Sequence, residues 1–599
     1  MFSTENFKKN FLPNIFNRKK IQMSSAPIKA ENWKIKKIGV IGPGIVGMPM
    51  AAMLANAKIK IGTQDPAKII VIQRNSVNSG WKVEAINNGK SVIGGIEPEL
   101  DEITRQAVEE GNLSASADFS VLSDADVILV SIQTDKNESG FEPDYRPMFG
   151  GLEKLAEALQ NKPSDKIPLI IFESTLAPTT MDTLFREHFK KYDLEEGKDI
   201  LLGNSPNRVM PGRLVERIRD ADKLAGGLHP ETPKLIAKLY NHIVTNGEVY
   251  ETNSLTAEIV KTLENAYRDV RIAFSTEIVR YCDEHDIDFY KVRDKVNSKL
   301  SQSDKATIDP NAVPTGGILI PMLGVGGHCL PKDGILLWWR NFQKGNDTSK
   351  SLILQSRLIN DNSPVLTFKQ SEKVFGNLRD KKIALLGVAY RFNSEDTRNS
   401  PTLVLANYLK ENKVNYIMHD PYVKENDQNL LKFNQQDRLT HDLKKTLEFA
   451  DYVFICSAHK QYIDEAQTIV SAKNIKGIFD ASNIYNRNLF QNDLEKYAGI
   501  GKGIKDPSEA FVEFVYQSFR AMEKGLANEL QSLIHFYNAN YAFDEYNKVK
   551  FEDVQRLAKT CSTGCEIADP DVIESVPVYE NFSSILAKKG HSNSKFQLV

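Results

Sequence analysis

The chain has 599 residues, a formal net charge of −2 at pH 7, 41% hydrophobic residues and 26% charged residues. This length exceeds what one hydrophobic core organises, so about three or four domains are expected. The near-neutral balance argues against a nucleic-acid binder, which would carry a basic excess or stripe. The sequence has no run of about 18 apolar residues, so no membrane span is predicted.

Cysteine usage and the two termini give further limits. Five scattered cysteines favour a reducing compartment over a disulfide framework, so a cytoplasmic location is expected. Cys561 and Cys565 have no second pair nearby and are interpreted as ordinary cysteines, and no metal site is expected. Residues 1–34 are basic and predicted to be a disordered tail, with a transit peptide or a membrane-surface helix as alternatives.

A dinucleotide-binding pattern follows the tail. Ile35–Ile41 predicts a strand, Met48–Ala57 a helix, and Ile59–Thr63 a second strand that ends near Asp65. The glycines between strand and helix allow a tight turn and bring the pyrophosphate to the helix N-terminus. An acid about 20 residues on binds the ribose hydroxyls and repels a 2′-phosphate, which favours NAD over NADP. The expected cofactor ligands are Gly42, Gly44, Ile45, Val46, Gly47 and Asp65.

Further strands are predicted at residues 126–132, 168–173 and 200–203. In a doubly wound sheet, ligands bind beyond the carboxyl ends of the strands. Thr134 and Thr175 follow the first two of these strands and are candidate contacts for cofactor or substrate, although each could be an ordinary helix N-cap. Asn207 and Arg208 lie in the loop after the third strand.

One long helix is predicted from Asn253 to about Glu284, because apolar residues recur there near the helical period. At 1.5 Å per residue such a helix spans roughly 45 Å, which is typical of a bridge between domains or a subunit interface. Lys261, Asn265 and Arg268 share one of its faces. That face is either part of a polar site or simply solvated.

An irregular stretch leads from this helix to the segment Gly324–Asp333. Its glycines, Gly326 among them, allow a backbone to approach a ligand closely. Cys329 follows, with Lys332 and Asp333 shortly after it. This is a plausible nucleophile with titratable groups beside it.

A second α/β unit begins near Lys381, with strands predicted at 382–387, 415–418, 451–456 and 477–479. Its first loop contains Arg391 and Arg398, and a planar guanidinium suits a diphosphate, although Arg398 could equally pair with Asp396. From Asp506 the chain predicts a helical appendage with Asp506 at the N-cap. The appendage is expected to pack on the body of the protein or on a partner subunit.

Several of these motifs, in this order, resemble the nucleotide-sugar 6-dehydrogenases, the family of the UDP-glucose, GDP-mannose and UDP-N-acetylmannosamine dehydrogenases. The similarity runs from about Lys36 to about Phe490, and Glu264–Val270 looks most like the branch that acts on N-acetylated UDP-hexosamines. The motifs that carry it are Gly42–Gly47, Gly95–Leu100, Glu173–Thr175, Ser205–Gly212, Ala257–Asn265, Gly324–Asp333 and Gly387–Pro401.

The resemblance implies an NAD-dependent, four-electron oxidation of the sugar C6 to a uronic acid, for polysaccharide or glycan precursor synthesis. Cys329 would form a thiohemiacetal and then a thioester, Lys261 and Asn265 would stabilise the oxyanion, and Asp333 would orient or deprotonate water or Lys261. Thr134, Thr175 and Lys332 would lie near the cofactor, and Thr175 also near the reacting sugar. The implied substrate ligands are Asn207, Arg208, Lys261, Asn265, Arg268, Gly326, Arg391 and Arg398.

The resemblance also implies an architecture. We expect an α/β protein with two Rossmann-like doubly wound parallel-sheet domains, joined by a long central helix and a helical middle domain, plus a C-terminal helical extension. A homodimer or higher homo-oligomer is expected through the central helix. The expected segments are the tail 1–34, an NAD-binding domain 35–252, a central domain 253–375, a nucleotide-sugar-binding domain 376–505 and the extension 506–599.

Two residues depart from the family pattern. Asn207 stands where the family has a glutamate that helps to hydrolyse the thioester, and Arg391 stands where the family tends to have lysine. The expected substrate is a UDP-N-acetylhexosamine, with UDP-glucose or GDP-mannose as the alternative. Two other readings stay open, namely a 3-hydroxyacid dehydrogenase and a nucleotide-sugar-binding subunit impaired in thioester hydrolysis.

Overall fold

A computed structural model describes residues 28–76, 79–94, 96–137, 142–209, 211–300, 317–490, 493–542, 544–561 and 564–570. The described residues therefore exclude most of the predicted tail and most of the C-terminal end. They also exclude Gly95, the first residue of the Gly95–Leu100 motif. The prediction of a tail through residue 34 extends too far, because Ala30–Asn32 form a 3-10 turn and Trp33 is buried in the core of the first sheet.

By contact, the chain divides into two compact units. The first comprises Met1–Glu264, Leu336–Gly345 and Leu530–Ser562. The second comprises Asn265–Ile335, Asn346–Glu529 and Thr563–Val599. These units differ from the five predicted segments, whose status as separate domains stays a prediction.

The first unit contains an eight-stranded sheet in the order β10-β9-β8-β7-β4-β1-β2-β3, beside a two-stranded β5-β6 ribbon. Neighbouring strands of the large sheet are parallel, except for the antiparallel pair β8 and β9. The strands are β1 Lys37–Ile41, β2 Lys68–Ile72, β3 Leu113–Ser116, β4 Val127–Val130, β5 Asp135–Lys136, β6 Pro143–Asp144, β7 Leu169–Phe172, β8 Leu201–Asn204, β9 Lys223–Gly227 and β10 Val249–Asn253.

Both faces of this sheet are covered. In β4, Val127 and Leu129 pack into one hydrophobic cluster while Ile128 and Val130 pack into another, because successive side chains point to opposite faces. Near-continuous apolar strands are typical of such doubly covered parallel sheets. The helices around it are α1 Gly47–Asn56, α2 Trp81–Asn87, α3 Leu100–Glu109, α4 Arg146–Leu159, α5 Arg186–Lys190, α6 Leu214–Asp220 and α7 Thr232–Tyr240.

The prediction of a strand at Ile59–Thr63 is wrong, since the second strand of the sheet is β2, Lys68–Ile72. Ile59 and Ile61 are buried in the core, and this packing explains their apolar alternation. The backbone of the segment turns instead of pairing along a ladder, with Ala67 N–H donating to the Ile59 carbonyl over 2.8 Å.

The middle of the chain is helical, with α8 Ser254–Glu284, α9 Phe289–Lys299, α10 Leu330–Gln343 and α11 Leu352–Phe375. The long helix α8 begins one residue after the predicted start, because the Asn253 side chain accepts the Thr256 N–H over 2.8 Å and caps it.

The second unit contains a six-stranded parallel sheet in the order β13-β12-β11-β14-β15-β16. Its strands are β11 Lys382–Leu386, β12 Asn415–His419, β13 Leu439–Thr440, β14 Tyr452–Ile455, β15 Gly477–Asp480 and β16 Tyr497–Gly499. The helices between them are α12 Pro401–Glu411, α13 Gln428–Lys432, α14 Leu443–Phe449, α15 Lys460–Asp464 and α16 Ala466–Val470. The predicted fold class, including the helical middle region, is thereby confirmed.

The C-terminal extension forms helices α17 Glu509–Tyr541 and α18 Phe551–Lys559. Ser508, and not the predicted Asp506, accepts the N–H at the start of α17, from Phe511 over 3.2 Å. Asp506 is instead an exposed partner of Lys291, whose ammonium lies 2.5 Å away. The predicted helix therefore exists but is capped two residues later.

Within the second unit, α17 packs along α8. The ring centroids of Phe274 and Phe519 lie 5.5 Å apart, and those of Tyr281 and Phe511 lie 5.0 Å apart. The chain's own extension therefore covers apolar residues of the helix that was expected to form a subunit interface. A homo-oligomer stays a prediction, but this part of α8 is occupied by the chain itself.

Candidate active site

The glycine turn after β1 has the geometry of a pyrophosphate site. Gly42 has a φ of +89°, and its N–H donates to the Ile72 carbonyl over 3.1 Å. A Cβ at Gly47 would overlap the Gly42 carbonyl oxygen, so glycine permits the close packing of α1 on the strand. A Cβ at Gly44 would meet nothing within 4 Å, which leaves the turn open where a phosphate would approach. Ile45 and Val46 complete this turn, and their contact with the cofactor stays a prediction.

The acid expected at the ribose end is absent from its place. Asp65 is exposed and precedes β2, whereas dinucleotides bind beyond the carboxyl ends of the strands. The residue that follows β2 is Gln73. Asp65 was therefore assigned to the wrong end of the strand, as a consequence of the misplaced strand at Ile59–Thr63.

Thr134 and Thr175 come together as the strand order predicts. The Thr134 hydroxyl donates to the Thr175 carbonyl over 2.7 Å, and the Ser174 hydroxyl donates to the Ile132 carbonyl over 2.5 Å. These contacts join the loops that follow β4 and β7 at the carboxyl edge of the first sheet. Their contact with a cofactor or substrate stays a prediction.

Glu173 lies at the centre of a buried polar cluster. Its carboxylate accepts hydrogen bonds from Asn207 Nδ2 at 3.0 Å, from Lys223 Nζ at 2.7 Å and from the Tyr240 hydroxyl. Burial lowers the pKa of Lys223, while the Glu173 charge opposes that effect. Burial, together with the Glu173 charge, raises the pKa of Tyr240. The Asn207 amide therefore donates to Glu173, and the Glu173 carboxylate accepts from three donors.

Arg208, predicted to bind substrate, is turned into the protein. Its side chain is only 4% exposed and forms an ion pair with Glu264, while donating to the Thr560 hydroxyl over 2.8 Å and the Leu557 carbonyl over 3.2 Å. Burial alone would lower the pKa of Arg208, but the Glu264 charge, its hydrogen bond and the nearby Cys561 and Asp222 together outweigh burial, and the pKa is raised. The structure does not support Arg208 as a substrate ligand. Glu264 also lies 3.7 Å from the Lys261 ammonium.

Cys329 is exposed and stands at the start of α10. Its carbonyl accepts the N–H groups of Lys332 at 3.2 Å and Asp333 at 3.0 Å. Cys329 therefore accepts the first hydrogen bonds of α10. The partial positive charge of a helix N-terminus stabilises negative charge nearby, including that of a thiolate.

The Asp333 carboxylate contacts two other predicted site residues of the second unit. Asn265 Nδ2 donates to its carboxylate over 2.6 Å, and the Lys332 ammonium lies 2.5 Å from its other oxygen. Asp333 and Lys332 are both buried, so Lys332 is a partner of Asp333 and not an open cation for the cofactor. Arg268 is half-buried on the same helix as Asn265, and its predicted substrate contact stays a prediction.

The glycines before Cys329 pack against the first loop of the second sheet. A Cβ at Gly326 would overlap Tyr390, and Gly327, with a φ of +87°, lies against the same ring. Gly327 N–H donates to the Arg398 carbonyl over 2.8 Å, and Asn399 Nδ2 donates to the Gly327 carbonyl over 2.9 Å. The loop that carries Cys329 is thus hydrogen-bonded to the loop predicted to hold the nucleotide.

Arg398 pairs with Asp396, as the alternative interpretation of the sequence foresaw. Arg398 donates to the Asp396 carboxylate from Nη2 at 2.5 Å and from Nε at 2.9 Å, and this hydrogen bonding raises the pKa of Arg398. Burial raises the pKa of Tyr390 to about 12, and Tyr390 and Arg398 both interact electrostatically with Cys329. Arg391 is half-buried beside Phe392, and its substrate contact stays a prediction.

Sequence reasoning missed the groups that support these residues. Lys223 begins β9, a strand that was not predicted, and Tyr240 ends a helix that was not predicted. Glu264 was not predicted to have a role of its own, although its position three residues after Lys261 is a helical ion-pair spacing. That spacing was the available signal for Glu264.

Within the described residues, no helix is long and apolar enough to cross a membrane. The same residues contain no group of three or more His, Cys, Asp or Glu side chains that could hold a metal ion. Cys561 and Cys565 are both buried and unbridged.

The first sheet and its glycine turn define a dinucleotide-binding protein, and the second sheet with its cysteine loop adds a further ligand domain. Comparison with known families matches three domains, an NAD binding domain at residues 36–244, a central domain at 255–362 and a UDP binding domain at 384–487. The chain belongs to the UDP-glucose/GDP-mannose dehydrogenase family. It is a nucleotide-sugar dehydrogenase, an oxidoreductase whose cofactor is NAD.

Relatives of similar sequence and structure agree with this assignment. The chain is 30% identical over 454 residues to the UDP-N-acetyl-D-mannosamine dehydrogenase of Pyrococcus horikoshii, covering 75% of this chain and 96% of the relative. A second such dehydrogenase, from Campylobacter jejuni, is 29% identical, covering 73% and 99%. The crystal structure of an NDP-N-acetyl-D-galactosaminuronic acid dehydrogenase from Methanosarcina mazei superposes with a TM-score of 0.64 at 31% identity, covering 78% of this chain and 96% of that one.

Proposed function

We propose that this chain oxidises C6 of a UDP-N-acetylhexosamine to the uronic acid, with UDP-N-acetylmannosamine preferred over UDP-N-acetylglucosamine and NAD+ as hydride acceptor. The observation that carries the proposal is the placement of Cys329, an exposed thiol at a helix start whose loop is hydrogen-bonded to Arg398 and Asn399. The relatives named UDP-N-acetyl-D-mannosamine dehydrogenase support the N-acetylhexosamine branch. UDP-glucose and GDP-mannose are the alternative substrates.

The proposed chemistry uses the sulfur as a nucleophile. The Cys329 thiolate adds to the C6 aldehyde left by the first hydride transfer and forms a thiohemiacetal. Loss of a second hydride to NAD+ gives a thioester, and water releases the acid and the thiol. Asn265 is held by Asp333, which fixes the amide as a donor, and Lys261 is proposed for the oxyanion on the family resemblance.

A second candidate is favoured by the replacement of a family glutamate by Asn207. An amide can place a water molecule but cannot take its proton, and the carboxylate that Asn207 contacts, Glu173, already accepts from three donors. A protein with a slow final hydrolysis would hold the sugar as a thioester and would act as a nucleotide-sugar-binding subunit.

The decisive experiment offers a panel of UDP- and GDP-sugars with NAD+ to the full chain, following NADH absorbance and identifying the product by mass. We expect two NADH per UDP-N-acetylhexosamine and steady turnover. Cys329→Ser should lower acid formation by about a thousandfold or more, because serine is not activated as a nucleophile here. An unchanged melting temperature and unchanged NADH binding serve as its controls.

Three outcomes separate the candidates. A Cys329→Ser variant that still makes the acid at the wild-type rate would overturn the covalent role. A burst of NADH that stops after one enzyme equivalent, with a sugar adduct on the peptide containing Cys329, would support the stalled thioester. Turnover of UDP-glucose or GDP-mannose alone would reassign the sugar.

A further inference from the structure

We propose that Arg74, Ser76 and Ser79, which follow β2, bind a ribose 2′-phosphate, so that this chain accepts NADP+ as well as NAD+. The proposal goes beyond the oxidation of the sugar, because dinucleotide binding can be measured without any sugar present. It starts from the missing acid at the ribose end of the first sheet.

The position of Gln73 identifies it as the residue that would face the adenosine ribose. Gly42 N–H donates to the Ile72 carbonyl, which places the end of β2 directly beside the glycine turn. Gln73 is the next residue, and its N–H continues the ladder to β3 by donating to the Ser116 carbonyl over 3.1 Å. In NAD-binding sheets an Asp or Glu at this place binds the ribose hydroxyls, whereas a nearby arginine accommodates the 2′-phosphate of NADP.

The Gln73 side chain removes the usual barrier to a phosphate. A carboxylate here would repel the phosphate dianion, but an amide carries no charge. Its Nε2 donates to the Arg74 carbonyl and to the Ser79 hydroxyl, each over 3.0 Å, so the amide also fixes the backbone of the loop. Asp65 cannot replace the missing charge, because it lies before β2 and not after it.

Arg74 supplies the positive charge that such a phosphate needs. Its side chain is exposed, and its guanidinium forms no ion pair with any residue that the structure describes. A planar guanidinium binds a phosphate through two parallel N–H donors. Arg398, by contrast, is neutralised by Asp396.

Hydroxyl groups of the same loop complete the set of donors. Ser76 Oγ and Ser79 Oγ lie 2.6 Å apart, and Gly80 N–H donates to the Ser76 carbonyl over 2.8 Å. A guanidinium with adjacent hydroxyls matches the chemistry of a phosphate monoester, which offers three strong acceptor oxygens. Among the described residues, the segment after β2 thus combines Arg74, which has no acidic partner there, with nearby hydroxyl groups and an uncharged residue at position 73.

The test is calorimetric titration of the full chain with NADH, NADPH, 5′-ADP and 2′,5′-ADP. We expect NADPH to bind within about tenfold of NADH, and 2′,5′-ADP to bind more tightly than 5′-ADP. Arg74→Ala should weaken NADPH and 2′,5′-ADP by about tenfold or more, since a charge-assisted contact is lost, and leave NADH within about twofold. Gln73→Asp should weaken NADPH and spare NADH.

Lys60→Ala is the matched control, because it removes one exposed positive charge from the segment before β2. It should leave all four affinities unchanged, and the melting temperature of each variant checks its folding. The proposal fails if NADPH binds more than about a hundredfold more weakly than NADH, or if Arg74→Ala weakens both dinucleotides equally. A chain that binds both dinucleotides but oxidises none of the sugars would leave this inference intact and overturn only the proposed function.

Discussion

The two large sheets share a glycine turn after their first strands. In each, a glycine with positive φ follows the first strand, Gly42 at +89° and Gly387 at +98°. Each glycine donates its N–H to the last residue of the second strand, Gly42 to Ile72 over 3.1 Å and Gly387 to His419 over 2.8 Å. The shared geometry follows from the shared topology, because the chain must turn sharply where a strand meets its helix.

The sheets differ in what occupies that turn. In the second sheet the Asp420 carboxylate accepts the N–H groups of Val388 and Ala389, at 2.7 and 2.9 Å. His459 Nε2 lies 3.1 Å from the same carboxylate, and Asp420 is fully buried. In the first sheet Gln73 follows β2 instead, and the space beside Gly44 is open. The first turn is open beside Gly44, whereas the second places the Asp420 carboxylate on the amides of its own turn, so fold alone does not assign the ligand.

The largest effect is expected from Asp420→Ala. The carboxylate also accepts the N–H groups of Tyr422 and Val423, so its removal leaves buried donors without partners. We expect the free energy of unfolding of the second unit to fall by about 3–5 kcal/mol. Hydrogen exchange of β11 amides under native conditions measures it.

The control for that variant is Asp464→Ala, which removes an exposed carboxylate paired with Lys460. This control should lower the free energy of unfolding by less than about 1 kcal/mol. If Asp420→Ala costs no more than this control, the carboxylate is not what holds the second turn.

Gly44→Asp would place a carboxylate in the open turn of the first sheet. A Cβ at Gly44 meets nothing within 4 Å, so stability should change by less than about 1 kcal/mol. The new carboxylate would repel the pyrophosphate, and NADH binding should weaken by about a hundredfold or more. Calorimetry of the variant beside Gly44→Ala, which adds a methyl without charge, separates repulsion from bulk. Equal losses in both variants would show that space and not charge controls the turn.

The smallest effect concerns pH. Burial alone would raise the pKa of Asp420, but hydrogen bonds from His459 and the backbone outweigh it and hold the pKa below the ordinary 3.8. A depressed carboxyl pKa contributes stability that is present above the ordinary value and is lost as the pH falls through the folded value. The difference in unfolding free energy between wild type and Asp420→Asn should therefore shrink as the pH falls below the ordinary carboxyl pKa of 3.8. A constant difference down to pH 3 would contradict this account.

Periodicity and motif order were sufficient for the architecture. The strands near β1, β4, β7, β8, β11 and β12 lie within a few residues of their predicted bounds, because each is a largely apolar run between turn signals. The helix α8 does so because its apolar residues recur near the helical period. β9 was missed, since Lys223-Leu-Ala-Gly-Gly227 is too poor in branched residues to signal a strand. Its pairing with β8 depends on tertiary contacts.

Site residues could be predicted where their own motif and spacing indicate their role. They could not be predicted where the role depends on partners elsewhere in the fold. Cys329, Asn265 and Asp333 were found from motif and spacing, and the structure joins the last two directly. Asp65 was chosen by its distance from the glycines, but that distance is set by a buried turn at Ile59–Ile61 that imitates a strand. Arg208 could not be assigned from its own motif, because its partners Leu557 and Thr560 lie some 350 positions along the chain.

The C-terminal extension has a practical consequence for anyone trimming this protein to the length of its matched domains, which end at residue 487. Such a truncated chain would lose Phe519 from Phe274 in one unit and the Thr560 and Leu557 acceptors from Arg208 in the other. It would also lose Glu529, whose carboxylate accepts the Leu352 N–H over 2.8 Å at the start of α11. The shortened protein would expose apolar surface and leave the buried Arg208 guanidinium without two of its acceptors, so low solubility of such a fragment would say nothing about the activity of the whole chain.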